Sequence, residues 1–156
     1  MRKGWWHQLF EGRAAGDAEA LQVLLTRICR QETALACHLA ERARAVRFAP
    51  HRLSLEGLAE QESQNACALA REIGGGATLV AAASPPRRPG TLTTTKLIQD
   101  LAETEGLYAL YRQARWLTSD GLLRDKLEGL AAEEDRNSRT IRGILATMDS
   151  YVTDRQ

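Results

Sequence analysis

Two segments of matching spacing carry the chemistry open to this chain: Glu62-Ser-Gln-Asn65 and Glu134-Asp-Arg-Asn137. A carboxylate and a carboxamide three residues apart share one face of an α-helix, so each pair aims two oxygen-bearing groups the same way. Glu32 and Glu105 precede the two pairs. Four carboxylates facing one another in a core would each cost several kcal/mol if left uncompensated. Two divalent metal ions would neutralise them. The other solution is metal-free: carboxylates sharing protons among themselves, with Asn65 and Asn137 donating amide hydrogens to them.

The elements that must position these groups are helical. Aromatic residues make up 5% of the chain, and long segments rich in Ala, Leu, Glu, Arg and Gln dominate, which predicts an all-α fold. Helices are expected over about 18–47, 50–73, 95–117 and 120–152. Asp17 is the expected cap of the first, Pro50 opens the second, Gly74-Gly75-Gly76 ends it, and Thr118-Ser-Asp-Gly121 turns the chain into the fourth. Residues 74–94 contain Ser84-Pro-Pro-Arg-Arg-Pro-Gly90 and are too rich in breakers for a further long helix. Extended, they could span up to roughly 70 Å, against about 36 Å for a 24-residue helix, and so could cross a bundle end to end.

In each predicted helix an apolar stripe is interrupted near its middle by the polar groups. Glu32 interrupts Leu21, Leu25, Ile28, Leu35 and Leu39, while Glu62 and Asn65 lie between Leu55, Leu58, Leu69 and Ile73. Glu105 stands among Ile98, Leu101 and Tyr108, and Glu134 and Asn137 among Leu127, Leu130, Ile141 and Ile144. These 4-3 alternations are the seam of a left-handed bundle. The two halves also match: Leu55-Glu-Gly-Leu-Ala59 recurs as Leu127-Glu-Gly-Leu-Ala131 at the offset that relates the two Glu-x-x-Asn pairs. The chain reads as a doubled helical hairpin, with residues 1–156 as one domain.

Leu58-Ala-Glu-Gln-Glu-Ser-Gln-Asn-Ala66 and Leu130-Ala-Ala-Glu-Glu-Asp-Arg-Asn-Ser138 resemble the second and fourth helices of the ferritin/rubrerythrin superfamily, with Asn where its di-iron members carry His. Glu105-Gly-Leu-Tyr-Ala-Leu-Tyr-Arg-Gln-Ala114 resembles the Glu-then-Tyr helix of rubrerythrins. The resemblance implies a ferritin-like four-helix bundle of two hairpins joined by a long crossover, here preceded by a short N-terminal segment. It implies a metal site built from Glu32, Glu62, Asn65, Glu105, Glu134 and Asn137, and a role in redox or peroxide chemistry. A carboxamide oxygen is a harder, weaker ligand than imidazole. The expected cofactor is therefore a divalent metal, iron or manganese, with calcium or magnesium as harder alternatives, or none. The contrasting expectation is a metal-free, non-catalytic bundle used for dimerisation or partner binding.

Twenty acids nearly balance 21 Lys and Arg, a net charge of +1, which argues against a nucleic-acid partner. No stretch is long and apolar enough to span a bilayer. Three cysteines cannot form a closed disulfide set, and Cys29 and Cys37 would stand about 12 Å apart on one helix, so reduced thiols in a cytoplasm are expected. His38 lies about 120° around the first helix from Glu32 and is expected on its flank. Trp5, Trp6 and Phe10 form an apolar N-terminal cluster expected over a bundle end or in a homodimer or higher homo-oligomer. No phosphate loop, Cys-x-x-Cys pair or Ser/His/Asp set is present.

Overall fold

The computed structural model describes residues 5–74 and 94–153, with side chains over 16–74 and 94–148. Four helices account for nearly all of it: α1 (Trp5–Ala45), α2 (Ala49–Glu72), α3 (Thr94–Leu117) and α4 (Gly121–Thr153). Among the described residues there is no strand, and no helix is long and apolar enough to cross a membrane.

The helix ends follow local chemistry. Pro50 sits in the first turn of α2, where its missing N–H costs nothing. Gly74 ends that helix in the left-handed region at φ 68°, donating its N–H to Arg71 O at 3.2 Å. Asp120 caps α4, its Oδ1 accepting the N–H groups of Leu122 and Leu123 at 2.8 and 3.2 Å. The start of α1 departs from expectation. The helix runs unbroken from Trp5 through Gly16 and Asp17, so Asp17 is an exposed mid-helix residue and not a cap, and among the described residues the expected N-terminal segment from Trp5 onward is continuous with α1. A single Gly costs about 1 kcal/mol in a helix, which the flanking helix formers Ala14, Ala15, Ala18 and Ala20 offset. The side chains of Trp5, Trp6 and Phe10 and the expected crossover at 75–93 lie outside the described residues.

α1 packs on α2 and α3 on α4, while α1 also neighbours α3 and α2 neighbours α4. Cross-helix partners give the directions. Glu32 meets Tyr111 and Arg42 meets Asp100, so α1 and α3 are antiparallel. Glu62 meets Asn137, His51 meets Thr147 and Glu72 meets Lys126, so α2 and α4 are antiparallel too. With both hairpins antiparallel, α2 and α3 run in parallel, and Gly74 and Thr94 stand at opposite ends of the bundle. Two short hairpins set so that α2 ends and α3 begins at opposite ends of the bundle match the connectivity predicted from the sequence.

Apolar layers close both ends of the core. Ile28 on α1, Leu69 on α2, Ala114 on α3 and Leu127 on α4 are fully buried or nearly so, as are Leu39, Leu55, Leu107 and Ile141 at the other end. Between these layers the core is polar.

Candidate metal centre

The sequence placed a carboxylate from each helix at that centre, and the fold brings in three. Glu32, Glu62 and Glu134 have no solvent exposure, and Asn65 and Asn137 are also buried. One carboxylate oxygen from each of the three Glu lies within 4.8 Å of the others. Glu62 and Asn65 share a face of α2, and Glu134 and Asn137 share the facing side of α4, as i,i+3 spacing dictates.

Glu105 is the exception. Its side chain is 47% exposed and ion-paired with Arg142 of α4, outside the bundle. The inward stripe of α3 is instead Leu97, Asp100, Thr104, Leu107, Tyr111 and Ala114, one residue out of step with the expected Ile98, Leu101, Glu105 and Tyr108. Ile98 is accordingly 53% exposed. α3 carries two competing stripes, and three polar contacts select between them. Asp100 is bound by buried Arg42 of α1, with Nε donating to Oδ2 at 3.1 Å. Thr104 satisfies its hydroxyl on Asp100 O at 2.9 Å within its own helix. Tyr111 donates its hydroxyl to Glu32 Oε1. Tyr108, expected to serve a site carboxylate, instead accepts a hydrogen bond from Arg112 at 3.0 Å at the half-buried edge of α3.

The polar atoms of the centre are incompletely satisfied. Asn137 Nδ2 donates to Glu62 Oε1 at 2.8 Å. Asn65 Oδ1 accepts from Gln61 Nε2 at 3.1 Å, and the same Nε2 donates to Glu133 Oε2 at 3.0 Å. Glu32 Oε2, Glu62 Oε2, both oxygens of Glu134 and Asn65 Nδ2 are buried without a hydrogen-bond partner. Among the described residues no Lys or Arg is paired with these three carboxylates: Arg42 is committed to Asp100, Arg115 to Glu128 and Arg142 to Glu105.

Burial dominates the electrostatics. It raises the Glu32 carboxyl to about 12, reinforced by the facing Glu62 and Glu134, while Tyr111 pulls the other way. Glu134 rises to about 9 through burial, then through repulsion from Glu62 and Glu133, with Asn65 opposing. Glu62 is raised by burial, and the Asn137 amide restrains it. The Tyr111 phenol is pushed up by burial and by the Glu32 charge, so it stays protonated as a donor. Three carboxylates in this setting hold protons or surround a cation.

Sequence reading thus named Glu32, Glu62, Asn65, Glu134 and Asn137, which the fold brings together at the centre, and Glu105, which lies at the surface. It missed Tyr111, Gln61 and Glu133. A signal for Tyr111 existed in the seven-residue spacing Thr104 to Tyr111, one heptad along a seam. His38, expected on the flank, is there: 42% exposed, with Nδ1 3.3 Å from Glu103 and 3.9 Å from Asp100, away from the centre. No disulfide joins Cys29, Cys37 and Cys67, and the Cys29 thiol donates to Ala66 O at 3.3 Å.

No protein-family model, no curated protein and no solved structure matches this chain.

Proposed function

We propose that the chain is a divergent relative of the ferritin/rubrerythrin superfamily whose bundle core binds a single divalent cation through Glu32, Glu62 and Glu134. The observation that carries this reading is the set of four buried carboxylate oxygens with no partner, on three side chains that converge to within 4.8 Å. Left ionised and empty, such a set would cost several kcal/mol.

The residues do not fit the di-iron centre of that superfamily. The fourth carboxylate faces solvent, and both imidazole positions hold carboxamides. They do fit one hard ion in an oxygen-only donor set, with manganese or magnesium favoured over iron. Tyr111 orients Glu32 and Asn137 orients Glu62, the kind of outer support on which ligand geometry depends. If the bound ion is manganese or iron, it supplies one-electron chemistry toward oxygen or peroxide; magnesium or calcium would serve the fold alone.

A metal-free reading has its own support. Glu32 and Glu62 each bring a carboxylate oxygen to within 4.8 Å of the other, so a proton on one carboxyl would compensate its neighbour's charge. In that case the bundle is a scaffold for self-association or partner binding, for which Trp116 and Leu122, 78% and 85% exposed beside the α3–α4 turn, offer apolar surface.

Metal content separates the two readings. Chain purified without chelator and reloaded with manganese or iron is expected to hold close to one ion per chain by elemental analysis. A content below a few tenths of an ion after reloading would overturn the metal reading.

A further inference from the structure

A cation bound at this depth has to enter through a seam of the bundle, and the four seams differ. α2 and α4 approach each other least closely of the neighbouring pairs. Both Glu-x-x-Asn pairs lie on this seam, where Glu62 and Asn137 meet across it. At its outer edge stands Glu133, the residue before Glu134 and therefore turned about 100° around the helix toward solvent. Its side chain is 31% exposed. Gln61 Nε2 spans the step inward, donating to Glu133 Oε2 and to Asn65 Oδ1. Behind that clasp lie the orphaned Asn65 Nδ2 and both unpartnered oxygens of Glu134. Glu133 is close enough for its charge to act on both Glu62 and Glu134. Arg136 approaches Glu133 only at 3.8 Å and is itself 63% exposed, so it screens that charge weakly.

Two other faces set arginines among their carboxylates. The cleft between α3 and α4 is lined by Tyr111, with Arg112 and Arg115 beside Glu128 and Asp135, so that its charges balance. The seam between α1 and α3 holds buried Arg42 paired with Asp100, and His38, Asp100 and Glu103 there form a separate group apart from the buried centre.

We propose that the α2–α4 seam is the entry for the metal ion, with Glu133 as an outer carboxylate that captures it and Gln61 as the clasp linking that carboxylate to the buried donors. This rests on the metal reading above. A single carboxylate charge at a distance of several ångströms through water-like dielectric changes the approach rate of a unit positive charge by about three-fold at low salt, hence that of a divalent ion by about ten-fold and of a trivalent ion by more, and screening removes the effect at high salt.

The test is rapid mixing of the metal-free full chain with terbium(III), a hard oxygen-seeking probe read by its luminescence. The final amount bound is measured in the same experiment. Glu133→Gln is expected to slow terbium association by about ten-fold or more at low salt and to flatten its salt dependence. Glu133→Lys should slow it further. Glu128→Gln, on the α3–α4 face, should load as the unaltered chain does. Equal rates for Glu133→Gln and the unaltered chain, or equal slowing by Glu128→Gln, would overturn the entry route. An unaltered chain that binds no terbium at saturation would instead overturn the metal reading, and the end point reports that separately from the rate.

Discussion

Tyr111 of α3 donates its hydroxyl to Glu32 of α1 in the middle of the core, so the third helix gives the centre a hydrogen-bond donor and no carboxylate. Both groups are fully buried. Tyr111→Phe should lower the stability of the metal-free chain by about 1–3 kcal/mol, since it orphans a buried acceptor at nearly constant volume. Denaturant melts against the unaltered chain measure this. A change under about 0.5 kcal/mol would show that the bond contributes little net free energy.

Glu105→Ala should leave metal content unchanged and cost at most about 1 kcal/mol, because the pair it forms with Arg142 is solvent-exposed. Elemental analysis of the reloaded variant is the measurement. Loss of the ion would return Glu105 to the centre and contradict the register of α3.

Glu134→Leu should act oppositely in the two states. Both Glu134 oxygens lack partners, so an apolar replacement of similar size is expected to stabilise the metal-free chain by about 1–3 kcal/mol. It should also abolish the stabilisation that added manganese confers on the unaltered chain. Glu62→Leu is a poorer probe, since it would also strand the Asn137 amide. Melts with chelator and with manganese decide the matter, and a destabilised variant in chelator would argue that the Glu134 carboxyl is already satisfied by a proton.

Stability of the metal-free chain should fall as pH rises from about 5 to 9. Glu32 and Glu134 are raised from 4.5 to about 12 and about 9, so the folded chain keeps protons that the unfolded chain releases in this window. More protons bound in the folded state means that stability is greatest below the unfolded value and is lost toward the folded one. The slope is about 1.4 kcal/mol per pH unit for each proton retained. A bound divalent ion replaces those protons and should flatten the profile. Melts at pH 5, 7 and 9 in chelator, repeated with manganese, read both effects; a flat chelator profile would mean the carboxylates are not held protonated.

The residues by themselves determined the helices, the doubled hairpin and the polar interruption of three apolar stripes. Helix periodicity is a local property, and on α1, α2 and α4 only one face is apolar enough to bury. On α3 the residues did not decide. Ile98, Leu101 and Tyr108 form one stripe and Leu97, Leu107 and Tyr111 another, rotated by about 100°. The choice fell to partners on other helices: Arg42 for Asp100, Glu32 for Tyr111 and Arg142 for Glu105. The start of α1 escaped sequence reading for a related reason, since Gly16-Asp17 is a competent cap that the surrounding alanines override. Only the tertiary structure could show which oxygens of the central carboxylates have donors, because each donor comes from a residue far away in the chain. That distribution, with Tyr111 and Asn137 serving two oxygens and four left bare, turns a run of buried acids into a candidate site for one ion.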